Sequence, residues 1–315
     1  MASGEATLSA RSPADWVRLH PEVLEALAAG QPVVALESTV ITHGLPRPAN
    51  LETARAMEAA VRQGGAVPAT VAVLDGAVRV GLEGAALECL AGLREAIKIN
   101  RRDLGPALAQ RSSGGTTVSA TMLAAHAAGI EVFATGGIGG VHRGGAGDVS
   151  ADLVELARTP VAVVCAGAKA ILDLPRTLEW LETAGVPVIG WGTDEFPAFF
   201  SRESGLPISA RADSAQAIAA ALRAHWSIGL QSGTLVCLPC PEEAALPRAQ
   251  VERAVELALK AAARAGVRGK DLTPFLLSRL VEETAGATLH ANTALLLNNA
   301  GAAASLAGAL ARAIA

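Results

Sequence analysis

The run Ala134-Thr-Gly-Gly-Ile-Gly-Gly-Val-His-Arg-Gly-Gly-Ala-Gly-Asp-Val-Ser-Ala-Asp152 restricts this chain more than any other stretch. An apolar segment, 129–134, leads into it, and a helical pattern leaves it at Ala151-Asp-Leu-Val-Glu-Leu-Ala157. Strand, glycine-rich loop and helix start in that order predict an α/β unit with an anion cradle. Glycine lets backbone approach a ligand closely, and the free N–H groups of a helix start favour negative charge. The loop also carries His142, Arg143, Asp148 and Asp152, which simple backbone wrapping of a phosphate does not require. It reads as the floor of an active site, with a plain tight turn as the competing reading. A dinucleotide loop fits poorly: after Gly137-Ile-Gly139 that pattern needs glycine at 142, where a histidine stands.

The rest of the chain repeats the alternation. Apolar strand-like runs at 31–36, 67–74, 77–80, 96–100, 161–165, 186–190, 206–210 and 233–238 alternate with helical patterns. Asp75-Gly76 between two of these runs signals a hairpin. Helices are expected at 21–29, from an Asn50 N-cap to Gln63, from Glu83 to Leu93, and from Gly114-Gly-Thr-Thr117 to Ala128. Others follow at 176–184, 214–227, 248–264, from a Thr273 N-cap with Pro274 behind it, and at 289–313. The pattern predicts one α/β/α domain, 18–315, with a largely parallel central sheet plus a hairpin, helices on both faces and a helical C-terminal third. Residues 1–17 read as a loose N-terminal extension.

Composition narrows the function. Of 315 residues, 51% are hydrophobic and 18% charged, enough for a core and without a disorder signature. The net charge of −4 with no basic block argues against nucleic acid as a partner. No uninterrupted apolar run reaches about 18 residues and no signal pattern opens the chain, so a cytoplasmic protein with no membrane partner is expected. Cys237-Leu-Pro-Cys240 has CxxC spacing but no second pair to complete a zinc site, and reads as small apolar residues at a strand end.

No serine-hydrolase elbow, Walker loop or zincin helix is present. Tyrosine is absent, so an acid must be Asp, Glu, His, Cys or Lys. Only four of the 26 basic residues are lysines, and two of them, Lys98 and Lys169, lie beside apolar β-like runs. A lysine in apolar surroundings can serve as an amine nucleophile. Glu37 directly follows the run Val33–Leu36, at a strand end, where α/β ligand sites form. Lysine plus carboxylic acid suits a masked aldehyde, the two anion cradles suit a phosphorylated sugar, and Asp148 suits a hydrated hard divalent ion. These residues alone predict an enzyme of phosphosugars that uses lysine and Mg²⁺ or Mn²⁺.

A set of motifs goes further. Val34-Ala-Leu-Glu-Ser-Thr39, Thr42-His-Gly44, Gly65-Ala-Val-Pro-Ala-Thr70, Arg101-Arg-Asp-Leu104, Thr135-Gly-Gly-Ile-Gly-Gly-Val-His-Arg-Gly144, Ser150-Ala-Asp-Leu153, Val164-Cys-Ala-Gly-Ala-Lys169, Thr273-Pro-Phe-Leu-Leu277 and Asn298-Asn-Ala300 occur in this order. Together they resemble the pseudouridine-5′-phosphate glycosidase family, once labelled indigoidine synthase A-like, from about residue 20 to 312. The resemblance implies an α/β/α fold, a homotrimer, one Mn²⁺ or other divalent ion per subunit, and reversible cleavage of the C–C glycosidic bond of pseudouridine 5′-phosphate to uracil and ribose 5-phosphate. Carried over, Glu37 is the acid that protonates the ribose ring oxygen. Lys169 attacks the anomeric carbon to give an open-chain Schiff base, and His142 assists proton handling. Lys98, Val118, Ser150, Ala151 and Asp152 contact substrate, Asn292 contacts uracil, and Asp148 holds the metal. The rival expectations are a lysine-dependent aldolase or lyase on another phosphosugar, and a non-catalytic phosphosugar sensor.

Overall fold

The longest strand, Val67–Leu74, belongs to two sheets at once, and that sharing sets the architecture. The computed structural model describes Ala14, residues 16–143 and residues 147–312. Among these residues eleven strands form: β1 Val17–Leu19, β2 Val33–Leu36, β3 Val67–Leu74, β4 Ala77–Val80, β5 Ile97–Ile99, β6 Gly114–Thr116, β7 Val132–Ala134, β8 Ala162–Cys165, β9 Val188–Trp191, β10 Ala210–Ala212 and β11 Thr234–Cys237. The first half of β3 opens a wholly parallel sheet in the order β3-β2-β7-β8-β11-β9-β10. Its second half pairs antiparallel with β4 and with β6, adding β1 and β5 at the two flanks of a smaller mixed sheet.

The central parallel strands β2, β7 and β8 are apolar throughout because helices cover both faces. Every residue of β2, β8 and β11 is buried. The helix Ala49–Gln63 buries Thr53, Ala54, Met57 and Val61, the three-and-four spacing of one face. Each buried Met or Val on such a face stabilises the fold by about 1.5–3 kcal/mol. The C-terminal helix Ala287–Arg312 packs on this helix and across β2, β7 and β8. By length and composition it could cross a membrane, yet 56% of its most apolar window is buried inside the fold. Its amides Asn292 and Asn299 are buried with that face.

Chain order reverses between β2 and β7: β2 is followed outward by β3 on one side, while β7, β8 and β11 build the other. Such a switch point opens a crevice at the carboxyl ends of the strands. Glu37 leaves β2 there, Thr135 leaves β7, and the segment carrying Lys169 leaves β8.

Several local expectations shift. Val17, assigned from the sequence to a loose extension, is buried in β1, while residues 1–13 and 15 lie outside the described residues. Gly114–Thr116 pairs as a strand before the helix Val118–Ala128 begins, because β3 and β5 lie on either side to accept it. Asn50 is not an N-cap. The helix starts at Ala49 behind Pro48, and the buried Asn50 amide donates instead to the carbonyls of Ile41 (2.9 Å) and Ala91 (3.2 Å). A helix starts at Leu272, one residue before the expected Thr273 cap, because a 3-10 turn at Gly269–Asp271 feeds it. The run 206–210 is mostly loop, since Leu206 and Ile208 bond to Phe196 and Asp194 and pairing with β9 begins only at Ala210.

Candidate active site

Glu37, Lys98, Val118, His142, Asp148, Ser150, Ala151, Asp152, Lys169 and Asn292 all line one cavity of about 700 Å³ at the switch point. The chain brings them there from β2, β5, the loops after β7 and β8, and three helices. The tip of the glycine loop, Gly144-Gly-Ala146, lies outside the described residues.

Glu37 is 7% exposed and accepts a hydrogen bond from the Thr135 hydroxyl across the β2–β7 crevice. Burial holds its carboxyl above the ordinary carboxylate range, while Lys169, the Thr135 hydroxyl and Lys98 pull the other way. A carboxyl so placed holds its proton to higher pH than a free one does.

Lys169 reaches back over the glycine loop, and its Nζ donates to the Gly137 carbonyl at 2.7 Å. Its backbone N–H bonds to Ile138 at 3.1 Å, and Ile138 bridges to Ala168 in parallel register. The lysine loop and the glycine loop are therefore one unit. Arg143 ties them again, donating from Nη2 to Ala170 and from Nε to Leu172, both at 3.0 Å, and pairing through Nη1 with Glu252 at 2.7 Å. The arginine in the glycine loop is thus a brace.

Asp152 is another brace. Its Oδ1 accepts from Ser119 N–H (3.0 Å) and its Oδ2 from Gly139 N–H (2.9 Å), joining the glycine loop to the start of the helix Val118–Ala128. A Cβ at Gly139 would come within 2.3 Å of Ser150 Oγ and 2.8 Å of Asp152 Oδ2, so only glycine passes there. With its carboxylate engaged, this segment offers a ligand its backbone. The N-terminus of the helix Val118–Ala128 faces the same cavity; Thr117 makes no cap bond of its own, and Asp152 takes the Ser119 N–H instead.

Burial, and then the Lys169 charge, hold the Lys98 amine below the ordinary lysine range. Burial likewise lowers His142, with Asp148 opposing and Lys98 and Lys169 adding to the fall, so its ring is neutral at physiological pH. The His142 N–H bonds to the Asp148 carbonyl at 3.0 Å, and Val141 pairs with Val149, which folds Asp148 back to the cavity rim. The Asp148 residue is exposed. Of the two buried amides on the C-terminal helix, Asn299 donates to the carbonyls of Thr135 and Gly136, whereas Asn292 faces the cavity beside Gly136.

No role was expected from the sequence for two lining residues, His43 on a π-helical turn at Val40–Gly44 and Phe199, or for Thr135, the partner of Glu37. Thr135 alone was findable, as the residue leaving the strand beside Glu37. Cys165, Cys237 and Cys240 are buried, and Cys240, pushed up to about 11 by burial, is held as a thiol.

Comparison with known proteins shows the family. The family described as indigoidine synthase A like protein matches residues 22–309. A protein of Rhodospirillum centenum named pseudouridine-5′-phosphate glycosidase is 63% identical over 300 residues, 95% of this chain and 93% of that one. One of the same name from Methylobacterium nodulans is 58% identical over 292 residues, 92% of this chain and 87% of the relative. The crystal structure of the prealnumycin C-glycosynthase AlnA in complex with ribulose 5-phosphate superimposes with a TM-score of 0.88 at 40% identity, covering 96% of this chain and 99% of its own.

Proposed function

Since the chain belongs to the indigoidine synthase A-like family, we propose that it is an enzyme that reversibly cleaves the C–C glycosidic bond of pseudouridine 5′-phosphate, giving uracil and ribose 5-phosphate. The observation that carries this reading is the meeting, in one crevice, of the buried Glu37 carboxyl, held above its ordinary range, with the Lys169 amine. A C–C glycosidic bond offers no leaving heteroatom to protonate, so the two-carboxylate chemistry of ordinary glycosidases fails. An amine nucleophile removes the obstacle.

Glu37 gives its proton to the ribose ring oxygen as the Lys169 Nζ lone pair attacks the anomeric carbon, and the C–O ring bond breaks. The open-chain sugar then carries the lysine nitrogen and the uracil on the same carbon. The secondary ammonium left by the attack gives up a proton, and a proton is delivered, by way of His142, to the uracil carbon of the C–C bond. The nitrogen lone pair next forms the C=N bond, the C–C bond breaks, and its electrons restore the uracil double bond. Water hydrolyses the iminium, releasing ribose 5-phosphate and free Lys169. Neutral His142 serves as a proton carrier on the same wall. Lys98 and the helix start at Val118 supply charge and N–H groups for the phosphate, with the backbone of Ser150, Ala151 and Asp152. The Asn292 amide, both donor and acceptor, matches the alternating C=O and N–H edge of uracil.

For the metal, the donor set decides what fits. Among the described residues no three His, Cys, Asp or Glu side chains are grouped to hold an ion. Asp148 on the rim therefore suits a hydrated Mn²⁺, or another hard divalent ion, that keeps most of its waters, and does not suit a dehydrated one. When bound, such an ion would supply positive charge toward the phosphate. Asp148→Asn is expected to raise the Mn²⁺ concentration for half-maximal activity at least about tenfold. It should also reduce Mn²⁺ binding followed by electron paramagnetic resonance, and unchanged binding would remove Asp148 from the metal site. We extend the reading to a cytoplasmic homotrimer, as in the family the motifs resemble; the mass in solution tests the trimer.

The test of function is uracil release from pseudouridine 5′-phosphate with Mn²⁺, run beside borohydride trapping of ribose 5-phosphate. Uracil release with a sugar adduct on Lys169 is the expected result. A trapped adduct without uracil release keeps the lysine chemistry and moves the substrate, towards the aldolase-type reading or the C-glycoside synthesis for which AlnA is named. Neither product from folded protein favours the sensor.

A further inference from the structure

We propose that Phe199 is a positioning residue that holds Lys169 on its reaction path; the inference rests on Lys169 being the nucleophile. Phe199 has a φ of +64°, a left-handed conformation that a bulky aromatic residue rarely adopts. It persists only where the surroundings over-determine it. Here they do: the Phe199 N–H bonds to the Ala166 carbonyl at 3.1 Å, and Ala198 bridges to Gly167, so the segment after Phe196 is stitched to the loop that ends in Lys169. The neighbouring Phe200 ring meets Phe199 edge to face, with centroids 4.6 Å apart.

The backbone conformation aims the Phe199 ring at Gly137. A Cβ on Gly137 would lie 2.6 Å from Phe199 Cδ2 and 2.7 Å from Cε2, so the ring presses directly on that backbone. The Gly137 carbonyl is the group that holds Lys169 Nζ. Phe199 is 2% exposed, and what little it shows lines the cavity. The ring therefore clamps the acceptor that aims the amine, without itself offering a group to the reaction. In a packed interior an aromatic in a comfortable backbone conformation would serve as filler; the left-handed residue is retained where that filler must point at Gly137.

Two variants separate this role from folding. Phe199→Gly removes the ring and suits the left-handed backbone, so strain is released. Phe199→Leu keeps most of the volume and the strain, and decides alone if the glycine variant does not fold. With pseudouridine 5′-phosphate, kcat is expected to fall about a hundredfold in Phe199→Gly, with KM within about twofold, and less steeply in Phe199→Leu. The rate of borohydride-trapped adduct formation from ribose 5-phosphate should fall in the same proportion. A kcat within twofold of wild type in either folded variant overturns the inference, as does a lowered kcat with an unchanged trapping rate. If wild-type protein forms no adduct at Lys169, the lysine reading itself fails and this inference with it.

Discussion

Lys169→Ala is expected to lower kcat by on the order of 10⁴ to 10⁶, the scale seen when a covalent nucleophile is removed from an otherwise intact site. The fold should survive. Nζ makes one side-chain hydrogen bond, to the Gly137 carbonyl, and its loss costs about 1 kcal/mol. The backbone bonds that knit the two loops, Lys169 to Ile138 and Ala166 to Gly136, remain. Ligand should still bind, since Lys98, Val118 and Asn292 are untouched, so a dissociation constant within about tenfold of wild type accompanies the lost turnover. Lys169→Arg sharpens the test. It keeps a cation beside Glu37, but a guanidinium stays protonated and cannot attack carbon. Both variants should be inactive and form no borohydride adduct. Turnover within tenfold of wild type in Lys169→Ala would remove the Schiff base from the mechanism.

The site was legible in the sequence wherever a residue type was unusual for its surroundings. A lysine just past the run 161–165, in a chain that otherwise prefers arginine, and a glutamate ending a fully apolar strand both stand out, because each costs desolvation unless it is used. The alternation of strands and helices was equally visible, since a parallel sheet covered on both faces leaves continuous apolar runs. Phe199 was invisible for the opposite reason. A phenylalanine near other apolar residues looks like core, and its left-handed backbone is imposed by contacts with Ala166 and Gly167 more than thirty positions earlier in the chain. Asn50 misled in the same way. Its side chain fits a cap locally, but carbonyls at Ile41 and Ala91 claim it once the chain has folded. Asp152 lines the cavity and Arg143 stands in the loop beside it, yet most of their polar atoms serve the loops and not a ligand.

Glu37→Gln should abolish proton donation while leaving the protein at least as stable as wild type at neutral pH. Loss of a general acid costs about 10² to 10⁴ in kcat, and glutamine keeps the shape and can still meet the Thr135 hydroxyl. The stability half follows from linkage. Burial raises the folded carboxyl above its ordinary value of 4.5, so between that value and the folded one the native state holds more protons than the unfolded chain. Stability contributed by the neutral carboxyl is therefore present below about pH 4.5 and is lost as pH rises through the folded value. The amide never ionises and carries no such loss. Compared across pH, the melting temperature of Glu37→Gln should match wild type near pH 4.5 and exceed it progressively at higher pH. In the wild type the alkaline limb of kcat should follow the same carboxyl, and Thr135→Val, which removes a bond favouring the charged form, should move that limb to higher pH. A Glu37→Gln protein that loses activity but melts below wild type at every pH would show that the carboxylate is a structural ion partner of Lys169, and the acid would have to be sought at His142.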